Sequence, residues 1–509
     1  MSNNSNNQRL VKNTLFLYIR MFLTMGIALF TSRVNLSSLG IENYGIYNIV
    51  GGTVALFSFI NITLTGATSR FLTFEIGKKD ASCLERTFRT SLSAHLIIAG
   101  IILLLAETMG LWFLNNKINI PADKMSAATV VYQISILASM VSILQVPFTA
   151  SIVSHEDMGI YAYVSIYECL AKLGIAYIIY LVPENKLIIF ALLIASVSFS
   201  LFTLYVCICL KKYPECILKP IFDKKILLPI LRYSGWDLYG NMSAMARTYG
   251  IAVVLNIFFG VVVNAATGIA HQVQHAIMGF VENFMTALRP QIVKYFASGE
   301  IEEMTKLIYA ASKYSFLLLF VISFPLIVEC PFILNLWLKN VPDYAVSFTQ
   351  FSLMIGWNSA LFRPVVFGIH ATGKIRNMSV INGTIILLII PFAFVAFYIG
   401  KEPYWAYIIN IGLLLIASSI NLIQLHRLIP DFSIVHFFRN VILNILKAIV
   451  PAIIIAHAII ASFDPSLLRL AIMCTSLILC ICCITYFFIM DADTRKIALG
   501  FFIKKLKRK

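Results

Sequence analysis

Charge is what this sequence has least of. Only 13% of its 509 residues are Asp, Glu, Lys or Arg, against 59% hydrophobic, and the mean hydropathy is +0.85. Water-soluble chains of this size carry about a quarter charged residues, so a soluble globular protein is excluded. Long polar interruptions are lacking too: no loop exceeds about 25 residues, which leaves no room for a separate catalytic domain on either face. The apolar runs are continuous, without the polar–apolar alternation of a membrane β-barrel. Nor is there a small-residue cleavage site after MSNNSNNQRLVKN, so the first apolar segment is expected to stay in the protein. The ten cysteines lie mostly in the apolar runs and give no disulfide framework; the Cys480–Cys483 spacing in CICC falls inside an apolar segment that zinc would hardly reach.

What the chain does have is apolar runs of roughly 18 to 25 residues, each enough to cross ~30 Å of hydrocarbon as a helix. They predict an all-α polytopic membrane protein with about fourteen transmembrane helices. Lysine and arginine outnumber acids 40 to 24, which raises nucleic acid as a partner. With the N-terminus inside, however, only six of the forty fall in outer loops: Lys117, Lys124, Lys186, Lys339, Lys401 and Arg469. That is the positive-inside bias, with both termini cytoplasmic and no role for nucleic acid.

The chain resembles itself at a spacing of about 220 residues. LGIENYGIYNIVGG lies over FGVVVNAATGIAHQV, and SRFLTFEIGKKDASCLERTF over LRPQIVKYFASGEIEEMTKL, pairing Arg70 with Arg289 and Gly77 with Gly299. Two six-helix lobes and an extra C-terminal pair account for this. The expected division is a cytoplasmic N-terminus (1–12), an N-lobe (13–210), a cytoplasmic loop (211–232), a C-lobe (233–425), a loop (426–440), the last two spans (441–490) and a basic tail (491–509). Transporters built from such repeats hold substrate between their halves.

Polar residues inside spans are costly and usually face a cavity or a partner. Helical phase places Arg20 on a polar stripe of span 1 with Asn13, Thr24 and Thr31, and Asn48 on one of span 2. Arg247 belongs to a stripe of span 7; His271, His275, Glu282 and Arg289 to one of span 8; Arg363 to one of span 10. If these stripes face each other, they line a cavity whose charge is mainly cationic, suited to a phosphate-bearing cargo. His271 and His275 have two-histidine metal spacing but no third ligand nearby in sequence, so no metal and no cofactor is expected. Glu168 and Lys172, four apart, can neutralise each other; Glu168 and Glu282 are the candidates for ion coupling. Glu107 and Glu329 are expected near water at outer helix ends, and Asp237 near the start of span 7.

The stretches NTLFLYIRMFLTMGIALFTSRV, LGIENYGIYNIVGG and ATSRFLTFEIGKKD resemble the N-terminal region of bacterial polysaccharide exporters of the O-antigen flippase type. These belong to the superfamily of multidrug, oligosaccharidyl-lipid and polysaccharide exporters. The match covers about the first 90 residues and extends loosely over the rest. It implies a non-enzymatic inner-membrane flippase that turns an undecaprenyl-diphosphate-linked oligosaccharide across the bilayer by alternating access. Membrane lipid and polysaccharide assembly proteins would be its other partners. Arg20 matches an arginine often found in the first helix of such flippases. Two rival readings are an ion-coupled small-molecule exporter, which would want an acidic cavity, and a membrane glycosyltransferase or polymerase, for which only the Asp491-x-Asp493 spacing speaks.

Overall fold

The computed structural model describes residues 2–39, 43, 46, 47, 50, 58–117, 122–338, 341–490 and 495. Most of the glycine-rich 39–52 stretch, with Asn48, and the Asp491-x-Asp493 motif lie outside the described residues. Fourteen described helices reach 18 residues: α1 Ser2–Leu39, α2 Ser58–Lys78, α3 Ala81–Leu105, α4 Met125–Ser154, α5 Met158–Ile178, α6 Lys186–Lys212, α7 Lys224–Phe259, α8 Val261–Ser298, α9 Ile301–Val328, α10 Ala345–Thr372, α11 Arg376–Tyr398, α12 Trp405–Leu428, α13 Leu443–Ser462 and α14 Leu467–Ile484. The chain is therefore an all-α polytopic membrane protein. Ten helical segments are both long and apolar enough to cross a membrane, among the described residues. Of the helices with polar stripes read from the sequence, α7 is among those ten, and α8 and α10 are not.

Several helices run past the span ends expected from hydropathy, α2 and α8 among them. The expected second span stops at residue 66 and the eighth at 288, yet α2 continues to Lys78 and α8 to Ser298. Backbone hydrogen bonding needs no apolar side chains, so a helix persists beyond the hydrocarbon where tertiary packing holds it. At 38 residues, α8 spans about 57 Å, well over one bilayer core.

The turns repeat with the helices. α2 and α8 end 220 residues apart, and so do the starts of α3 and α9. Each turn is made by one left-handed residue, Lys79 at φ 60° and Gly299 at φ 80°. In the first turn Asp80 caps α3 by accepting from the Cys83 amide at 3.0 Å.

The chain folds as two compact units, each made of more than one stretch of sequence. Unit 1 comprises residues 1–242, 286–300 and 370–383; unit 2 comprises 243–285, 301–369 and 384–509. The long helices α7 and α8, and the α10–α11 region, are shared because their two ends pack against different neighbours. In unit 1 the core includes an edge-to-face series of Phe88, Phe148 and Phe202, and Leu17 of α1 packs on Met158 and Tyr161 of α5. In unit 2, stacked Phe316, Phe320 and Phe324 run along α9 beside Trp357, whose indole donates to Ser323 Oγ at 2.7 Å.

The C-terminal pair is tied to α9 of unit 2 by charge. Arg469 donates to Glu329 at 2.7 Å, and the Glu329 side chain is 0% exposed. This corrects the expectation that Glu329 sits within reach of water: its neutralising partner comes from a helix 140 residues away. Asp237 is corrected as well. Because α7 begins at Lys224, Asp237 lies more than three turns inside the helix rather than at its N-terminus.

Candidate functional site

In unit 2, α7, α8, α10 and α12 converge on a small polar cavity. Arg247 and His271, both expected from helical phase, line it together with Gln274, Ser352, Tyr407 and Asn410. Arg247 Nη1 donates to Asn410 Oδ1 at 3.4 Å, and no carboxylate pairs with Arg247 among the described residues. The cavity measures about 40 Å³, close to the volume of a single water, so this arrangement excludes a bulky ligand. His275 lies one turn beyond His271 on α8 and does not line the cavity. Among the described residues no group of three His, Cys, Asp or Glu side chains converges in the manner of a metal site.

Arg363 of α10 and Glu282 of α8 form an ion pair in the same unit, each roughly 40% exposed. The sequence placed these residues on two stripes with separate tasks, cargo contact and ion coupling. The structure joins them, so the Arg363 charge is already compensated.

In unit 1, the Arg20 guanidinium lies 4.7 Å from the centre of the Tyr161 ring of α5. Tyr205 of α6 lies within the electrostatic reach of Tyr161, Glu168 and Arg20 together, so these residues share one polar cluster. Glu168 pairs with Lys172 at 2.6 Å. Arg20 thus turns toward α5, a neighbour that the phase of α1 alone does not identify.

Arg289 stands at a crowded point of unit 1. Its Nη2 donates to the Gly66 carbonyl of α2 at 3.3 Å. A Cβ at Gly66 would lie 3.3 Å from that nitrogen and 3.6 Å from Asp237 Oδ2, so glycine lets Arg289 and Asp237 meet against the α2 backbone. Asn241 of α7 bridges Asp237, at 3.4 Å, and Thr63, at 3.1 Å. One turn away, Tyr233 OH meets His370 Nδ1 at 2.6 Å.

The contacts of the two repeats in this unit are reciprocal. Arg70 of α2 donates to the Ala371 carbonyl at the end of α10, at 2.8 Å. Lys294 and Gln291 of α8 donate to Glu156, in the turn between α4 and α5, at 2.6 and 3.4 Å. Each repeat's second long helix therefore docks a cation on the other repeat's turn after its fourth. Glu156 and Gly373 hold those turns in left-handed conformations, at φ 62° and 75°. Sequence reasoning paired Arg70 with Arg289 by offset but placed Arg70 in a loop and missed its docking role; the useful signal was the GKIR turn, residues 373–376, whose glycine a Cβ would drive to 2.8 Å from Arg70 Nη2.

The 213–223 loop adds a second buried charge. Glu215, 7% exposed, meets His155 Nε2 at 2.7 Å and accepts from Ser151 at 3.4 Å. Burial works to raise its carboxyl, but the bonds from His155, the backbone and Ser151 outweigh it and hold Glu215 below the usual carboxylate range.

No protein-family model and no curated protein matches the chain. Solved structures do match in fold. A MATE transporter in its bent conformation superposes with a TM-score of 0.70 at 13% identity, over 84% of this chain and 99% of that one. An outward-facing multidrug resistance MATE family transporter of the MOP superfamily gives 0.65 at 14%, over 82% and 96%. A MOP superfamily transporter from Pyrococcus furiosus, described as having a binding pocket of reverse polarity that suggests a different function, gives 0.63 at 14%, over the same shares. The chain has the MATE-like fold of MOP superfamily transporters.

Proposed function

We propose that this protein is a flippase of the polysaccharide-exporter branch, moving an undecaprenyl-diphosphate-linked oligosaccharide from the cytoplasmic to the periplasmic leaflet of a bacterial inner membrane. The observation that supports this most is the charge of the unit 2 cavity. Arg247 lines it with neutral polar partners, Asn410, Gln274 and His271, and no described lining residue is a carboxylate. A cation in such surroundings attracts phosphate oxygens, whereas an exporter of cationic drugs would want the opposite sign. The structural neighbour with a pocket of reverse polarity is a precedent within the fold for cargo of unusual charge.

All fourteen long helices then cross the membrane as six, six and two, with both termini cytoplasmic. The reciprocal contacts of Arg70 and Lys294 close the path at the cytoplasmic end. A cavity of about 40 Å³ cannot hold a diphosphate with its sugars, so cargo enters only after α7, α8, α10 and α12 move apart around Arg247. Arg20 and Arg289 would supply further positive charge to an anionic cargo. His275 and the Glu282–Arg363 pair lie further along α8 and α10.

An ion-coupled small-molecule exporter is the second reading. The cluster of Arg20, Tyr161 and Glu168 favours it, because it holds a carboxylate among polar groups inside a lobe.

Proteoliposomes carrying a polyprenyl-diphosphate oligosaccharide in one leaflet test the proposal, with a lectin reporting exposure on the other side. Protein-dependent exposure of chemically unaltered lipid is expected, with Arg247→Ala abolishing it at normal membrane abundance. Wild-type flipping by Arg247→Ala would end the cationic-cavity mechanism. Ion-driven movement of a soluble compound, with no lipid movement, would establish the exporter instead.

A further inference from the structure

Unit 1 holds a second and larger cavity, of about 470 Å³, and the transport reading uses only one of its lining cations, Arg70. Arg70 of α2, Arg232 of α7, and Lys374 and Arg376 of the turn before α11 line it. We infer that this cavity is a binding site for a phosphate- or diphosphate-bearing anion, separate from the Arg247 cavity.

Four cations from three distant segments point into one space, and none of the described residues lining it is a carboxylate. A positive-inside bias alone would leave such charges spread over exposed loops, where water screens them. Here one of them is buried: Arg70 is 7% exposed, while Arg232, Lys374 and Arg376 are exposed at the rim. The cavity therefore has a charged floor and a charged mouth.

The floor is held in place. The Arg70 guanidinium donates to the Ala371 carbonyl at 2.8 Å and lies 4.8 Å from the ring centres of both Phe71 and Phe74. Gly373, at φ 75°, lets the turn pass so near Arg70 that any side chain there would collide with it. At the mouth, Arg376 lies 5.2 Å from the centre of the Trp236 ring, which fixes a second planar fork on an aromatic plate. Oriented guanidinium groups match phosphate oxygens in paired bonds, and an anion between them relieves their mutual repulsion. The volume falls within the range of small-ligand sites. Basic residues interleaved with Tyr233 and Trp236 also suit the headgroup level of a bilayer, so the phosphate can be lipid-borne or free.

An anion bridging Arg70, Arg232 and Arg376 would clamp α2, α7 and the α10–α11 turn together, raising the thermal stability of this arrangement.

The test uses the full chain in nanodiscs of neutral phosphatidylcholine, titrated separately with inorganic pyrophosphate and with short-chain phosphatidic acid, reading melting temperature and the fluorescence lost in Trp236→Phe. Saturable binding of at least one probe is expected. Arg232→Gln/Arg376→Gln should weaken it at least tenfold, since two charge-assisted contacts are lost, while Arg232→Lys/Arg376→Lys, which keeps the charge without the planar fork, should weaken it less and reports on folding. Pyrophosphate alone saturating assigns a free phosphate species; phosphatidic acid alone assigns a lipid headgroup. Saturation by neither, or unchanged affinity in the glutamine variant, overturns the site. Arg247→Ala should retain this binding, so failure here and failure of the transport reading are separable.

Discussion

Gly77 is the residue at which the closed end of unit 1 is most easily forced apart. A Cβ added there would lie 2.6 Å from Ala297 Cβ, 2.9 Å from the Lys294 carbonyl oxygen and 3.0 Å from Lys294 Cα. Non-bonded carbons rest at about 3.5–4.0 Å, so α2 and α8 must separate by roughly an ångström at this level. None of the three atoms can swing aside, since two are backbone and the third is an alanine methyl. Overpacking of this kind costs about 1–3 kcal/mol, while alanine regains up to ~1 kcal/mol of helix propensity over glycine. With the full propensity gain the balance is about 0–2 kcal/mol against the closed contact, a shift of up to about 30-fold in a two-state equilibrium. Spin labels at Lys78 and Ser298, exposed at the ends of the two helices, would report it by pulsed-dipolar distance measurement. Gly77→Ala should add a longer distance population, whereas Gly240→Ala should not, because nothing lies within 4 Å of a Cβ at Gly240. An unchanged distance distribution together with an unchanged melting temperature would refute the packing argument.

Two further perturbations separate structure from charge. The Glu282–Arg363 pair is partly exposed, so its loss should cost only about 0–1 kcal/mol of stability. Glu282→Gln and Arg363→Gln should each impair flipping in proteoliposomes more than the double variant does; strictly additive losses would show that the pair does not act as a unit. Glu215, whose carboxyl is held below its ordinary value, contributes stability that is present above the usual carboxylate range and lost as pH falls through the folded value. Glu215→Gln should therefore lower the melting temperature at neutral pH, and the gap from wild type should close below roughly pH 5; a gap independent of pH would remove the His155 contact as its cause.

How much of this was legible in the sequence depends on whether the information was local. Apolar run length is local, so the long helices and a register of about 220 residues were readable, although the turn residues correspond as Lys79 and Gly299 and not as the Gly77 and Gly299 paired in the sequence. Helical phase is local too, and it brought Arg247 and His271 to one cavity. Where a polar side chain ends is not local. Glu282 and Arg363 neutralise each other across 81 residues, and Glu329 is buried by an arginine 140 residues later. Phase says which face of a helix a residue occupies, never which helix stands opposite; Arg20, placed by phase on a polar stripe of α1, lies against Tyr161 of α5. The cationic cavity of unit 1 was invisible for the same reason, since its charges come from residues 70, 232 and 374–376. Hydropathy also misjudged the ends of α2 and α8, because a polar helix end resembles a loop when only its side chains are read.

The exchange between Arg70 and Ala371 on one side, and Lys294 and Glu156 on the other, has the form of an isologous dimer interface folded into a single chain. In a true dimer symmetry would make both fastenings identical. Covalent joining has let them diverge: one is an arginine on a neutral carbonyl, the other a lysine on a carboxylate. Rising salt weakens the second more than the first. A symmetric pair of bolts has thus become an ordered one, in which ionic conditions choose the bolt that slips first and so the direction in which the closed end begins to part.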